Sequence, residues 1–174
     1  MSAFRDPQAF AFTAALEGAF AAIRAEAAAL GDDEWPEAPD SLTTVEGRYD
    51  ERGWRYYALC GTPAASEAHR ARCTATVAVC EAVPGVVNAG FSRFLPGTHL
   101  YPHQGELHGV LRCHLALVVP DGDCALRFGA ETRRWQVGRC LVFDDTVEHE
   151  AWNHSGAPRD VLIVTFRPAA GELS

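Results

Sequence analysis

Two histidines stand in polar segments just beyond apolar, strand-like stretches. His103 lies in residues 97–105 (GTHLYPHQG), and His149 lies in residues 143–150 (FDDTVEHE). Polar segments at the ends of strands are where a β-barrel presents its ligand-binding groups. A neutral imidazole is a common ligand for transition metals and suits Fe(II). The two histidines are therefore candidate metal ligands, whereas His69 and His154 are interpreted as surface residues.

An arginine follows the second histidine by ten residues. Arg159 leads into residues 161–166, which have the composition of a strand. Its guanidinium fork can bind a carboxylate through two parallel, charge-assisted hydrogen bonds. An early histidine, a late histidine and an arginine one strand further on resemble the spacing of non-haem Fe(II), 2-oxoglutarate-dependent oxygenases.

The segment 111–119 (LRCHLALVV) predicts a strand with two different faces. Side chains alternate across a strand, so Arg112 and His114 share one face while Cys113 and Leu115 share the other. An arginine and a histidine on so apolar a strand are costly to bury unpaired. We expect their face to line a polar pocket. A register slipped by one residue would instead turn Cys113 and Leu115 inward.

These features belong to a longer pattern that runs through most of the chain. In order, its segments are 92–99 (SRFLPGTH), 102–105 (PHQG), 111–117 (LRCHLAL), 143–145 (FDD), 148–152 (EHEAW) and Arg159, preceded by Trp54 and residues 81–85. The pattern resembles the aspartyl/asparaginyl β-hydroxylase family from about residue 10 to residue 168. The resemblance implies an enzyme that uses Fe(II), 2-oxoglutarate and O2 to hydroxylate its substrate, releasing succinate and CO2.

The resemblance also implies roles for individual residues. It makes His103 and His149 the iron ligands. The residues that it assigns to 2-oxoglutarate are Trp54, Ser92, Arg112, His114 and Arg159. The wider oxygenase superfamily has an acidic metal ligand two residues after the first histidine, where this chain has Gly105. The resemblance implies that the family shares this departure and uses only two histidines as metal ligands. Asp145 then becomes a candidate for orienting a water molecule at the metal. Glu106 is a less favoured candidate for a third metal ligand.

A second interpretation needs no catalysis. Arg112 and His114 would form a structural pair in a cupin-like protein that binds a metal or a small ligand, and Asp144 and Asp145 would form a solvated turn. Succinate formation distinguishes the two hypotheses. For the enzyme, we expect an aspartyl or asparaginyl residue or a related amino-acid-like small molecule as substrate, with a lipid acyl chain the least favoured. The sequence leaves the oligomeric state open.

Composition narrows the possible partners. The chain has 174 residues, 15 basic residues that are all arginine, 23 acidic residues and a net charge of −8. That charge argues against general nucleic-acid binding and against a polybasic membrane surface. Neither a membrane-spanning stretch nor a signal peptide is recognisable, so we expect no membrane partner and a cytoplasmic location. The six cysteines are expected to be reduced, with Cys113 and Cys124 buried as small apolar residues.

The remaining pattern predicts the elements around the site. A helical stripe over residues 12–30 ends at Gly31, a loop rich in proline and acids follows to residue 40, and a second helix over 65–82 ends at residues 84–85. Strands are predicted at 54–59, 90–95, 111–119, 125–128, 132–136, 140–143 and 161–166. The sequence therefore predicts one domain over 1–174: a helical N-terminal third packed on a cupin-like double-stranded β-helix, or jelly roll, over about 86–168.

Overall fold

The computed structural model describes residues 2–38 and 53–170, and it is built around two antiparallel sheets. The strands are β1 (Phe4–Arg5), β2 (Trp54–Cys60), β3 (Val86–Phe94), β4 (Thr98–His103), β5 (Leu111–Val118), β6 (Cys124–Phe128), β7 (Glu131–Arg133), β8 (Cys140–Phe143), β9 (His149–Asn153) and β10 (Arg159–Phe166). The large sheet has the order β1-β8-β5-β10-β3-β2, and the small sheet has the order β4-β9-β6-β7. The predicted jelly roll with flanking helices is confirmed.

Strand β5 shows how the large sheet separates two cores. Cys113 and Leu115 belong to a buried cluster shared with the helices, which includes Leu16 and Ile23. Ala116 belongs to a second cluster, which fills the space between the two sheets. Alternation along β5 therefore places Arg112 and His114 on the face that looks toward the small sheet, in the predicted register.

The helices pack on the opposite face of the large sheet, but each predicted helix is divided in two. They are α1 (Ala11–Gly18), α2 (Phe20–Ala28), α3 (Glu67–Arg72) and α4 (Thr74–Glu81). The first break is a kink, since the amide of Ala19 still bonds to the carbonyl of Ala15. At the second break, the carboxylate of Glu26 accepts hydrogen bonds from the amides of Ala75 and Thr76, and so caps the start of α4.

Some predicted boundaries need correction. Gly31 has φ −64° and is not a left-handed helix terminator; its amide instead bonds to the carboxylate of Glu34 in a short 3-10 turn. Gly85, by contrast, has φ +68°, a left-handed backbone that favours glycine just beyond α4. The strand predicted at 132–136 is β7, which ends at Arg133. Residues 39–52, which include the end of the predicted acidic loop, lie outside the described part of the chain.

Three strands were not predicted: β1, β4 and β9. The segment of β4 is interrupted by Pro102 and two histidines, so it lacks the apolar alternation that marks a strand. Its partner β9 lies about 50 residues further on, and pairing at that distance has no local sequence signal. All six cysteines are free and buried, and the burial is as predicted for Cys113 and Cys124. Within residues 2–38 and 53–170, no helix is long and apolar enough to cross a membrane.

Candidate active site

A cavity opens between the two sheets. All eight site residues predicted from the sequence line it: Trp54, Ser92, His103, Arg112, His114, Asp145, His149 and Arg159. The rest of its wall is mainly apolar and comes from Phe94, Leu100, Gly105, Leu126, Trp135, Phe143, Ala151 and Ile163. The fold thus brings together groups that are separated by more than 100 positions in the sequence.

The two candidate metal ligands form a matched pair. His103 is the last residue of β4, His149 is the first residue of β9, and the two are register partners. Their ring centroids lie 4.3 Å apart. Nδ1 of His103 donates to the carbonyl of Tyr101 at 2.7 Å, and Nδ1 of His149 donates to the carbonyl of Val147 at 2.8 Å. A carbonyl only accepts, so Nδ1 carries the proton in both rings, and in the neutral form of each ring Nε2 carries the lone pair.

The surroundings keep His149 neutral. Burial, and after it the neighbouring His103, lower the pKa of His149 to about 3. In the described part of the chain, no three His, Cys, Asp or Glu side chains are grouped as a complete metal site. Glu106 is exposed and does not line the cavity. A metal at the pair would therefore have two imidazole ligands from these residues and room for ligands that are not protein.

Asp145 occupies the place where a side chain at position 105 would lie. The amide of Gly105 donates to the carbonyl of Asp145 at 2.7 Å. A Cβ atom at position 105 would lie 2.5 Å from Oδ2 of Asp145. The same oxygen lies 2.5 Å from Nε of Arg112, so the guanidinium predicted to hold 2-oxoglutarate is ion-paired with a carboxylate that is only 2% exposed. Asp145 is thus fixed in the wall of the cavity that the two histidines also line, and the turn in which it lies is buried at this residue, not solvated.

Arg159 is a buried cation that has no counter-ion in the cavity among the described residues. The residue is 1% exposed, and its guanidinium carbon lies 3.9 Å from the ring centre of Phe94 and 4.7 Å from that of Trp135. Nε and Nη2 have no hydrogen-bond partner among the described residues. Burial lowers the pKa of Arg159 to about 10, which leaves it charged at neutral pH. A buried, unpaired guanidinium of this kind is stabilised by an anionic ligand.

Two tryptophan side chains donate hydrogen bonds to polar residues of the large sheet. Nε1 of Trp54 donates to Oγ of Ser92 at 3.0 Å. Nε1 of Trp135 donates to Nδ1 of His114 at 3.4 Å. Burial, and after it the charge of Arg159, hold the pKa of His114 well below its usual value, so His114 is neutral.

Sequence reasoning missed the aromatic part of the site. Phe94 and Trp135 enclose Arg159, and Phe143 contacts His114 edge-on with ring centroids 4.8 Å apart. Phe94 ends β3, opposite Arg159 in the ladder, and that pairing could have identified it once the topology was known. Trp135 follows β7 in the sequence ETRRWQ, which carries no periodic signal.

Comparison with known proteins agrees with this architecture. Residues 17–168 match the family model described as aspartyl/asparaginyl beta-hydroxylase. The chain is 39% identical over 165 residues to an ornithine lipid ester-linked acyl 2-hydroxylase of Rhizobium tropici, covering 92% of this chain and 59% of that protein. It is 45% identical over 74 residues to the mouse aspartyl/asparaginyl beta-hydroxylase, covering 42% of this chain and 10% of that protein.

A solved structure shows the same fold. The prolyl-4-hydroxylase of Pseudomonas putida superposes with a TM-score of 0.54, covering 97% of this chain and 91% of that one at 18% identity. The sequence relatives are longer than the matched region, since the chain spans 59% and 10% of the two named above. Because the family model matches most of the chain, the protein belongs to the aspartyl/asparaginyl β-hydroxylase family.

Proposed function

We propose that the protein is an Fe(II)- and 2-oxoglutarate-dependent dioxygenase that hydroxylates its substrate. One observation carries the proposal: Arg159, buried and without an ion-pair partner among the described residues, lines the same cavity as two imidazoles. Nδ1 of each imidazole is tethered to a backbone carbonyl, which leaves Nε2 as the metal-binding nitrogen of the neutral ring. A cation for a carboxylate and a pair of metal ligands are the two parts that a 2-oxoglutarate-dependent metal site requires. The non-catalytic alternative, a cupin-like binder of a metal or a small ligand, requires only one of the two parts.

The donor set fits Fe(II). His103 and His149 would hold the metal through Nε2, because Nδ1 of each ring is tethered to a backbone carbonyl. When bound, iron supplies the oxidative chemistry, in which O2 and 2-oxoglutarate become succinate, CO2 and one hydroxyl group on the substrate. Asp145, held by Arg112, is assigned to orient a water molecule at the metal from its place beside Gly105.

The large sheet would hold the cosubstrate. Arg159 binds its distal carboxylate through Nε and Nη2, and the hydroxyl of Ser92 donates a further hydrogen bond. The rings of Phe94 and Trp135, which lie against the guanidinium, exclude water and so strengthen that ion pair. Arg112 acts through Asp145, and His114 supplies a neutral ring at the same wall.

Two substrate classes follow from the relatives. Family membership favours an aspartyl or asparaginyl residue or an amino-acid-like small molecule. A lipid acyl chain was the least expected class, but the relative that matches 92% of this chain is named for an ester-linked acyl chain. The aspartyl/asparaginyl relative matches only 42% of it. An acyl chain is therefore the second candidate, and the apolar wall formed by Leu100, Leu126 and Ile163 is compatible with it.

The test is succinate formation from 2-oxoglutarate by the full chain supplied with Fe(II) and ascorbate. Separate reactions contain Asp- or Asn-bearing peptides, free amino acids, or dispersed ornithine lipid, and mass spectrometry detects a product heavier by one oxygen atom. Succinate above the level of Arg159→Ala supports the proposal. Binding of Fe(II) and 2-oxoglutarate with no succinate under any condition would instead support the ligand-binding alternative.

A further inference from the structure

We propose that Trp135 is a positioning residue that fixes the tautomer of His114, so that this ring presents an N–H donor to a carboxylate in the cavity. The inference deepens the proposed function, because it specifies how the large sheet is set to receive an anion. The tautomer itself depends on the protein alone and can be measured in the absence of iron and substrate.

The geometry defines the direction of the hydrogen bond. The rings of Trp135 and His114 are nearly parallel, with 12° between their planes and 6.2 Å between their centroids. Nε1 of Trp135 lies 3.4 Å from Nδ1 of His114. Both residues are buried. The indole N–H lies in the ring plane and meets the imidazole at its edge, where a nitrogen lone pair is found.

Hydrogen-bond chemistry then determines where the proton of His114 resides. An indole nitrogen can only donate, so Nδ1 of His114 must accept and cannot carry a proton. The proton of the neutral ring is therefore on Nε2. That atom is buried and has no hydrogen-bond partner in the described part of the chain. A buried, unsatisfied donor costs free energy unless a ligand accepts from it. Protonation of Nδ1 is disfavoured by the same indole, in keeping with a neutral His114.

The second indole of the cavity acts in the same way. Nε1 of Trp54 donates to Oγ of Ser92, so one lone pair of that hydroxyl is occupied and its own proton is directed elsewhere. Arg159 can only donate, and two of its nitrogens have no partner among the described residues. Ser92, His114 and Arg159 therefore all offer donors on one wall of the cavity. A wall with this polarity accepts carboxylates and rejects cations and donor-only groups.

The experiment is a measurement of histidine tautomers by two-bond 1H–15N NMR on the metal-free, 15N-labelled full chain. His114→Gln identifies the resonances of His114. In the wild type we expect unprotonated Nδ1 and protonated Nε2 at neutral pH. In Trp135→Phe, which keeps a ring but removes the donor, we expect a population protonated at Nδ1. We also expect 2-oxoglutarate binding to weaken roughly fivefold to tenfold, as for the loss of one net hydrogen bond.

Two other tryptophans provide controls. Trp54→Phe removes the donor to Ser92 and should leave the His114 tautomer unchanged. Trp152→Phe removes a donor to Asp123 outside the cavity and should change neither tautomer nor affinity. A wild-type His114 protonated at Nδ1 overturns the inference even if Trp135→Phe does not fold. An unaltered tautomer in a folded Trp135→Phe overturns it as well. If His114 has the expected tautomer but the protein does not bind 2-oxoglutarate, the positioning role of Trp135 is supported and the proposed function is contradicted.

Discussion

The two sheets contribute to the cavity in different ways. Both candidate metal ligands come from the small sheet, on adjacent strands, and each is oriented by a carbonyl only two residues away. The candidate carboxylate-binding residues come from the large sheet and are fixed over long distances: 38 positions separate Trp54 from Ser92, and 21 separate Trp135 from His114. The metal pair is therefore oriented locally, whereas the carboxylate wall depends on the folded sheet.

The largest effect is expected from the small sheet. His103→Ala or His149→Ala should abolish iron binding and succinate formation, because each removes one of two imidazoles and the described residues offer no complete alternative set. Metal content after dialysis against Fe(II) measures the first effect directly. His154→Ala is the matched control, since this exposed histidine contacts Asp123 and His99 outside the cavity. Near-normal iron content in either site variant would disprove the ligand assignment.

Replacing Arg159 tests the large sheet separately. Arg159→Ala should leave iron binding intact and raise the 2-oxoglutarate concentration needed for turnover by orders of magnitude, because removing one partner of a desolvated ion pair costs about 3–5 kcal/mol. Arg159→Lys should restore part of the affinity, since an ammonium ion cannot form the guanidinium fork. Titration of succinate formation against 2-oxoglutarate gives both values. An unchanged requirement in Arg159→Ala would shift the role to Arg112.

Neighbouring residues of β5 provide a comparison within the large sheet. Leu115 is fully buried in the core shared with the helices, so Leu115→Ala should lower the free energy of unfolding by about 2–5 kcal/mol. His114 faces the cavity, so His114→Ala should impair turnover with little effect on stability. Chemical denaturation and succinate assays on both variants measure the two effects. The opposite result would mean that the register of β5 is slipped by one residue.

The difference between local and long-range interactions also explains which features the sequence could predict. Alternation in 111–118 was sufficient to place Arg112 and His114 on the cavity side, because the period-2 alternation of side-chain direction is a local property of a strand. The sequence does not predict the helix break at Ala19 because the apolar stripe continues across it from Leu16 to Ile23. The break at Cys73 goes with a cap that comes from Glu26, about 50 residues away in the sequence. Strands β4 and β9 pair with each other across about 50 residues, and Arg159 contacts Trp135, which precedes it by 24 residues. No local sequence pattern encodes either contact.

The smallest effect is expected from the contact between Gly105, which follows β4 of the small sheet, and Asp145, which follows β8 of the large sheet. Gly105→Ala would place Cβ 2.5 Å from Oδ2 of Asp145, closer than atoms can approach, so the carboxylate must move away from Arg112. Overpacking of this kind typically costs roughly 1–3 kcal/mol. We expect a lower unfolding temperature and weaker iron retention, because Asp145 would no longer be fixed in the wall of the cavity that the two histidines also line.

Gly156→Ala is the matched control, since a Cβ atom at position 156 meets nothing within 4 Å. It should change the unfolding temperature little and leave iron retention unaltered. The informative variant is Gly105→Ala combined with Asp145→Ala, in which the clash is removed. If the double variant regains stability but not iron retention, the carboxylate of Asp145 acts on the metal site. If both recover, Asp145 is only a packing partner of Gly105, and the small sheet holds the metal without help from the loop that follows β8.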